Sequence, residues 1–271
     1  MIILSEHSLK VIEFSKNFVE DIMPFGYIPQ KVAWKDIVLR LSGIPSLIRR
    51  VQAPVIMRML GLDRDDIVLD AGCNGGFFTC EIAAECRRSV GIDWNLGGNA
   101  SIAMSSLSNL SFIRGDVQVL PFADETFHKV LLSSVLQMVE DDGRLLAECH
   151  RVLKGNGSLI LSVPTDYIYF NGLNRLQDEL NHKFGSRGKG FYGQAEVTGL
   201  LDGAGFEITD REYSPKKWGS LIYETQLLLC HSLGLPLYSN FYFFLYPLAL
   251  FDRLGGREQK GCELVIKARK V

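Results

Sequence analysis

An α/β fold, with a parallel sheet covered by helices on both faces, is predicted by three observations. From residue 66 onward, short apolar β-rich runs alternate with helical stretches. Four of those runs end at Asp70, Asp93, Asp116 or Ser133. The first of them leads straight into a glycine-rich turn and then a helix. Strand–helix alternation of this kind builds sheets with helices on both sides. Ligands of such open sheets bind outside the carboxyl ends of the strands. The four polar strand ends are therefore where a site is expected.

The elements follow in order. Residues 1–60 read as a helical N-terminal extension or cap, and 61–271 as one domain with insertions at about 165–194 and 215–258. Ile44 to Leu60 reads as a helix, with Pro45 near its start and Gly61 just past its end. Its Arg49, Arg50 and Arg58 read as a solvated face, with contact to an anionic substrate as the alternative. The strands are Ile67–Leu69, Ser89–Ile92, Leu110–Arg114, Lys129–Ser133, Ser158–Val163, Phe206–Tyr213 and Cys262–Arg269. The intervening helices are Phe77–Cys86, Asp141–Leu153, Glu196–Leu201, Trp218–Leu233 and Phe241–Leu254.

The 271 residues carry 29 Lys+Arg against 31 Asp+Glu, a net charge of −2. That balance gives no support to a nucleic-acid partner. At 47% apolar and 22% charged, the chain has the composition of a globular protein. Six cysteines show no CxxC and no zinc spacing, so they read as reduced core thiols, no metal is expected, and the expected compartment is the cytoplasm. Residues Thr225 to Phe251 contain no Asp, Glu, Lys or Arg. Gly234 and Pro236 interrupt this run, and neither half is long enough to span a bilayer. Burial beside the sheet is its expected fate, with a homodimer face or a peripheral membrane contact through 225–251 as alternatives.

The turn after the first strand is Asp70-Ala71-Gly72-Cys73-Asn74-Gly75-Gly76. Glycines there let a ligand approach the backbone. A dinucleotide-type G-x-G-x-x-G fails, because Asn74 and Phe77 fall where glycines are needed. Asp70 also repels a pyrophosphate and suits a cationic ligand. Asp93, 23 residues on, can accept hydrogen bonds from both hydroxyls of a ribose. Trp94 can stack on an adenine. Asp116 can accept from an exocyclic amine while the Val117 N–H donates to a ring nitrogen. A ligand with a ribose, an amino-purine and a cationic end fits S-adenosylmethionine.

The segments VLDAGCNGGFFT, VGID, GDVQVLPFADETF and LKGNGSLILSVP, in that order, resemble the motifs of class I S-adenosylmethionine-dependent methyltransferases. They are most similar to the small-molecule group that includes the ubiquinone-biosynthesis type. The likeness covers about residues 62–165 well, and the 203–206 turn and last strand loosely. It implies a Rossmann-like methyltransferase fold, a seven-stranded mostly parallel sheet with helical insertions near the acceptor side. Asn74 departs from the family's usual glycine, but asparagine tolerates a left-handed backbone. The resemblance implies that Asp70, Gly72 and Gly76 border the methionine part of the cofactor, and Cys73 and Asn74 of the same loop are candidate cofactor contacts. It implies Asp93 at the ribose, Asp116 and Val117 at the adenine, and Ser133 and Gln137 beside the sulfonium and acceptor.

The expected activity is methyl transfer to a small-molecule or lipid-linked acceptor, leaving S-adenosylhomocysteine. The alternatives are a methyltransferase for protein or RNA, or a non-catalytic regulatory protein that binds the cofactor. The sequence after the fourth strand, Ser133-Ser134-Val135-Leu136, carries no amide-methylating motif. Of the five histidines, His182 is the candidate general base for a protonated acceptor. Tyr27, Gln137, Tyr192, Trp218 and Tyr223 are the candidate acceptor contacts, and the basic loop Gly185–Gly190 is a candidate lid.

Overall fold

Successive residues of a strand face opposite sides of a sheet, so a strand buried on both faces needs an unbroken apolar run. The central strands meet that need. In the computed structural model, β1 (Ile67–Ala71) sends Leu69 to one face and Val68 to the other. β4 (Phe127–Ser133) divides Val130 and Leu132 from Leu131 in the same way, and β5 (Leu153–Pro164) divides Leu159 and Leu161 from Ile160. Residues 47–96, 108–167, 190–233, 246–249, 251–252, 256 and 260–271 are described.

The other strands are β2 (Arg88–Asp93), β3 (Leu110–Arg114), β6 (Phe206–Tyr213) and β7 (Glu263–Lys270). The sheet runs β3-β2-β1-β4-β5-β7-β6. Neighbours from β3 through β5 pair in parallel, and β7 lies antiparallel to both β5 and β6. The seven-stranded, mostly parallel sheet expected from the sequence is present.

Helices cover both faces. α1 (Leu47–Leu60) and α2 (Phe77–Ala83) bury Ile56, Met59, Leu60, Phe78 and Ile82 against Val68, Leu131, Ile160 and Val265. α3 (Asp142–Val152) and α4 (Gln194–Gly203) pack on the opposite face. The reason is visible in α3, whose buried Leu145, Leu146, Cys149 and Val152 recur at helical spacing. Asp141 caps α3 by accepting from the Arg144 N–H at 2.8 Å. α5 (Lys217–Leu233) and the short α6 (Tyr246–Ala249) fall between β6 and β7. Among the described residues no helix is long and apolar enough to cross a membrane. Of the expected helix over 241–254, only Tyr246–Ala249 and the turn at 251–252 lie within the described residues.

Three sequence expectations need correction. β5 starts at Leu153, where the sequence suggested the end of a helix: Leu153 pairs with Phe127 and Ser158 with Lys129, so Lys154 to Gly157 loop out as an irregularity. Asn156 takes a left-handed φ of 63° to allow it. The α1 arginines are not a solvated face. Arg50 is buried, Arg49 reaches the end of β4, and only Arg58 is exposed, where it pairs with Glu212 at 2.5 Å and Asp210 at 3.4 Å. Tyr192, a candidate acceptor contact, is 1% exposed in the core. Its hydroxyl donates to the Leu136 carbonyl at 3.3 Å and lies 3.4 Å from Asp142, so it fastens the chain before α4 to the start of α3.

The start of α5 is capped from a distance. The Asp252 carboxylate accepts from the N–H groups of Lys216 (2.8 Å), Trp218 (2.7 Å) and Gly219 (3.0 Å). These are the orphan donors of a helix N-terminus. Replacing Asp252→Ala is expected to destabilise the chain by about 1–3 kcal/mol in urea denaturation, whereas Asp252→Asn, which keeps one acceptor oxygen, should lose about half of that or less. Equal stability of the alanine variant and the parent would remove this cap from the account.

Candidate functional site

The carboxyl ends of β1, β2, β3 and β4 meet where the sheet order switches from one side of β1 to the other. At such a switch point the loops diverge and leave a crevice. The β1 loop lines it. Gly72 has a φ of 80°, and its N–H donates to the Ile92 carbonyl at 2.7 Å, with the Cys73 N–H on the same carbonyl at 3.1 Å. A Cβ on Gly72 would lie 2.4 Å from a methyl of Val135, just past β4. Asn74 takes a φ of 46°, the left-handed geometry that the sequence allowed for, and Gly76 takes 78° as it enters α2. Cys73 is buried with its side chain turned inward, so only its backbone can border a ligand.

Asp93 ends β2 with both carboxylate oxygens oriented. Oδ2 accepts from the Asn74 N–H and Oδ1 from the Asn95 N–H, each at 2.8 Å. A carboxylate oxygen has further lone pairs, so both can still accept from a ligand. Trp94, next in the chain, is 67% exposed. Asp116 follows β3, and its Oδ1 accepts from the Gln118 N–H at 2.8 Å. Val117 turns into the core beside it. This loop is tied to α3. The Arg144 Nε donates to the Gln118 carbonyl at 3.1 Å, and Arg151 reaches the carbonyls of Leu120 and Phe122. Glu148 receives the Leu120 N–H at 2.7 Å, and the Arg151 guanidinium holds the Glu148 carboxyl below the usual range.

Asp70 is placed differently from the sequence expectation. It is 2% exposed, and its Oδ2 accepts from the Thr79 hydroxyl of α2 at 2.6 Å. Burial pushes its carboxyl up to about 6, against the opposing effects of the Thr79 bond and the Arg49 charge. It stands behind the loop, held against α2.

The β4 end carries a polar network that sequence reasoning missed. Arg49 Nη1 donates to Ser133 Oγ (2.8 Å), Ser134 Oγ (3.0 Å) and Gln52 Oε1 (2.9 Å). Glu263 at the start of β7 accepts from Ser134 Oγ at 2.9 Å and from the Gln52 amide. The Ser134 N–H reaches Ser162 Oγ at 3.1 Å. The one available signal was Arg49 itself, an arginine among apolar residues. Ser133 is buried here, and Gln137 sits buried on a 3-10 turn (Leu136–Met138) just beyond.

Trp218 is exposed on α5 with its ring against Phe251, and Tyr223 is half-buried on the same helix. His182 and Tyr27 lie outside the described residues, as do Gly185–Lys189 of the expected lid.

The sheet order and the helices on both faces together define a Rossmann-like domain. Residues 69–161 match the family model described as "Methyltransferase domain". Over that segment the chain is similar to S-adenosylmethionine-dependent methyltransferases. A protein of Mycolicibacterium smegmatis named "Probable S-adenosylmethionine-dependent methyltransferase" is 29% identical over 143 residues, 53% of this chain and 52% of that one. A demethylmenaquinone methyltransferase of Mycobacterium sp. (strain KMS) is 33% identical over 110 residues, 40% of this chain and 46% of that one. The chain thus spans about half the length of the curated relatives it matches. Among solved structures, a geranyl diphosphate methyltransferase in complex with S-adenosylmethionine shares the fold, with a TM-score of 0.58 at 14% identity over 81% of this chain and 84% of that one.

Two outcomes test the loop. Gly72→Ala is expected to cost about 2–4 kcal/mol in urea denaturation, from overlap with Val135 and the left-handed backbone. A loss below about 0.5 kcal/mol would contradict the close approach. Asp70 carries a pH signature. Its carboxyl titrates higher in the fold than in the unfolded chain, so its stabilising contribution is complete at acid pH and disappears as pH rises through about 6. Relative to Asp70→Asn, the parent should lose about 2–3 kcal/mol between roughly pH 4 and pH 7. Parallel stability curves would contradict the buried placement.

Proposed function

We propose that the domain binds S-adenosylmethionine across the ends of β1 to β4 and transfers its methyl group to an apolar small-molecule or lipid-linked acceptor. The observation that carries this reading is Asp93. Two backbone N–H groups, one from the β1 loop and one from its own loop, fix its carboxylate at the β2 end. That is the preparation a bidentate acceptor of ribose hydroxyls needs, since the ordering precedes the ligand. Asp116 then reads the exocyclic amine and Trp94 offers a ring face to the base.

The cofactor supplies an activated methyl on a positively charged sulfur and a methionyl end with an ammonium and a carboxylate. Charges of both signs are available to that end. Asp70 provides a negative field behind the β1 loop, and the Arg49 guanidinium lies at Ser133. The network of Gln52, Ser134 and Glu263 holds Arg49 still. The remaining work of the chain is to align the acceptor in line with the methyl and to exclude water. A protonated acceptor would hand its proton to a base, for which His182 remains the proposed residue.

The demethylmenaquinone methyltransferase relative supports an apolar acceptor. The near-neutral charge balance supports no RNA substrate. Calorimetric titration with S-adenosylhomocysteine tests the reading. One site per chain is expected, and Asp93→Ala should weaken it by about 1–3 kcal/mol through loss of charge-assisted bonds. A dissociation constant left unchanged by Asp93→Ala would take Asp93 out of the site.

A further inference from the structure

Asp70 is buried on β1, two residues before Gly72 of the loop that lines the crevice. Two residues of extended chain span at most about 7 Å. A charge resting on the loop at Gly72 is therefore close to Asp70. The ground around it is apolar: Ala71 and Val135 are buried beside the loop. Its partners across the sheet, Gly91 of β2 and Leu131 of β4, bring no charge. Nothing there screens the carboxylate as water would.

The charged groups that act on Asp70 are Arg49 of α1 and Asp93 of β2, which oppose each other in sign. Burial pushes the Cys73 and Cys80 thiols upward, so both stay uncharged. Thr79 of α2 supplies its hydroxyl, at 2.6 Å, and its backbone N–H. A hydroxyl can donate to a carboxylate or accept from the protonated acid. The Thr79 contact therefore serves both protonation states. Burial brings the carboxyl up to about 6, where both states are populated in mildly acidic solution.

We propose that Asp70 distinguishes cofactor from product by charge, standing ionised behind a bound sulfonium and taking up a proton once the sulfonium has become a thioether. The inference rests on the proposed binding of S-adenosylmethionine and names what separates it from S-adenosylhomocysteine. The two ligands share the adenosine, the ammonium and the carboxylate. They differ by one methyl and one positive charge. When the methyl leaves, the electron pair of the C–S bond stays on sulfur and that charge is gone. Asp70 then faces a neutral sulfur, and a proton from solvent neutralises it. At an effective dielectric constant of about 20, a unit charge about 8 Å away favours the ionised form by more than about tenfold. By linkage, affinity for the sulfonium ligand rises with pH through the titration of Asp70, and affinity for the thioether does not.

Calorimetric titration of the full chain with each of the two ligands tests it. Between pH 5 and pH 7 the ratio of S-adenosylmethionine to S-adenosylhomocysteine affinity is expected to rise at least about threefold in the parent. In Asp70→Asn, which keeps the shape and the Thr79 contact, the ratio should stay flat. The parent alone gives a second readout, from titrations at pH 5.5 in buffers of different ionisation enthalpy. S-adenosylmethionine should release at least about 0.3 proton per site more than S-adenosylhomocysteine. This readout decides the matter even where Asp70→Asn fails to fold. A flat ratio in the parent, or equal proton release by the two ligands, overturns the proposal while leaving the cofactor site intact. A folded Asp70→Asn that keeps the parent's rise also overturns it, by placing the titrating group elsewhere. Failure of both ligands to bind overturns the cofactor reading itself, and this inference with it.

Discussion

The fit of Gly72 between two strand ends is the constraint on which the rest depends. Its N–H is tied to the β2 exit through Ile92, and its missing side chain leaves room for Val135 at the β4 exit. The sheet changes direction at β1, so the loop leaving β1 has neighbours on both sides and must pass between them. The left-handed turns at Gly72, Asn74 and Gly76 accomplish this in five residues. They also aim the Asn74 N–H at Asp93. The placement of the Asp93 carboxylate at β2 is therefore set by backbone sterics at β1.

A second dependence runs through α1. Its apolar face packs on the sheet, while Arg49 and Gln52 reach the ends of β4 and β7. Glu263, Ser134 and Ser162 complete the link, so four separated parts of the chain meet at one polar cluster. Half-buried, the Arg49 guanidinium needs partners for its donors, and it has several oxygen partners. Helix and strand ends thereby hold one another in place around the proposed methyl-transfer position. On the outer side of the same helix, Arg50 and Arg58 line the cavity between α1 and α5.

Much of the core architecture was legible in the sequence because the central strands are short, apolar and separated by turns with clear chemistry. Asp93, Asn74 and the glycines could be singled out because each is required by backbone geometry or by a strand terminus. The misreadings have physical causes. Arg49 and Arg50 looked solvated because charged residues on helices usually are, and a partner more than 80 residues away leaves no local trace. Tyr192 looked like a pocket aromatic, yet its hydroxyl finds partners inside the core. Asp70 looked ligand-facing, but Thr79 one helix turn into α2 captures it. The bulge at the start of β5 was hidden by Gly155-Asn156-Gly157, which reads as a turn and is accommodated within the strand.

The central claim is that one nucleoside cofactor spans the ends of β1, β2 and β3. Hydrogen–deuterium exchange with and without saturating S-adenosylhomocysteine examines those three ends separately. The account requires added protection together at residues 72–76, 93–95 and 116–118, with little change at the α5 surface. Protection confined to one of the three segments, or absent from all of them, would contradict it.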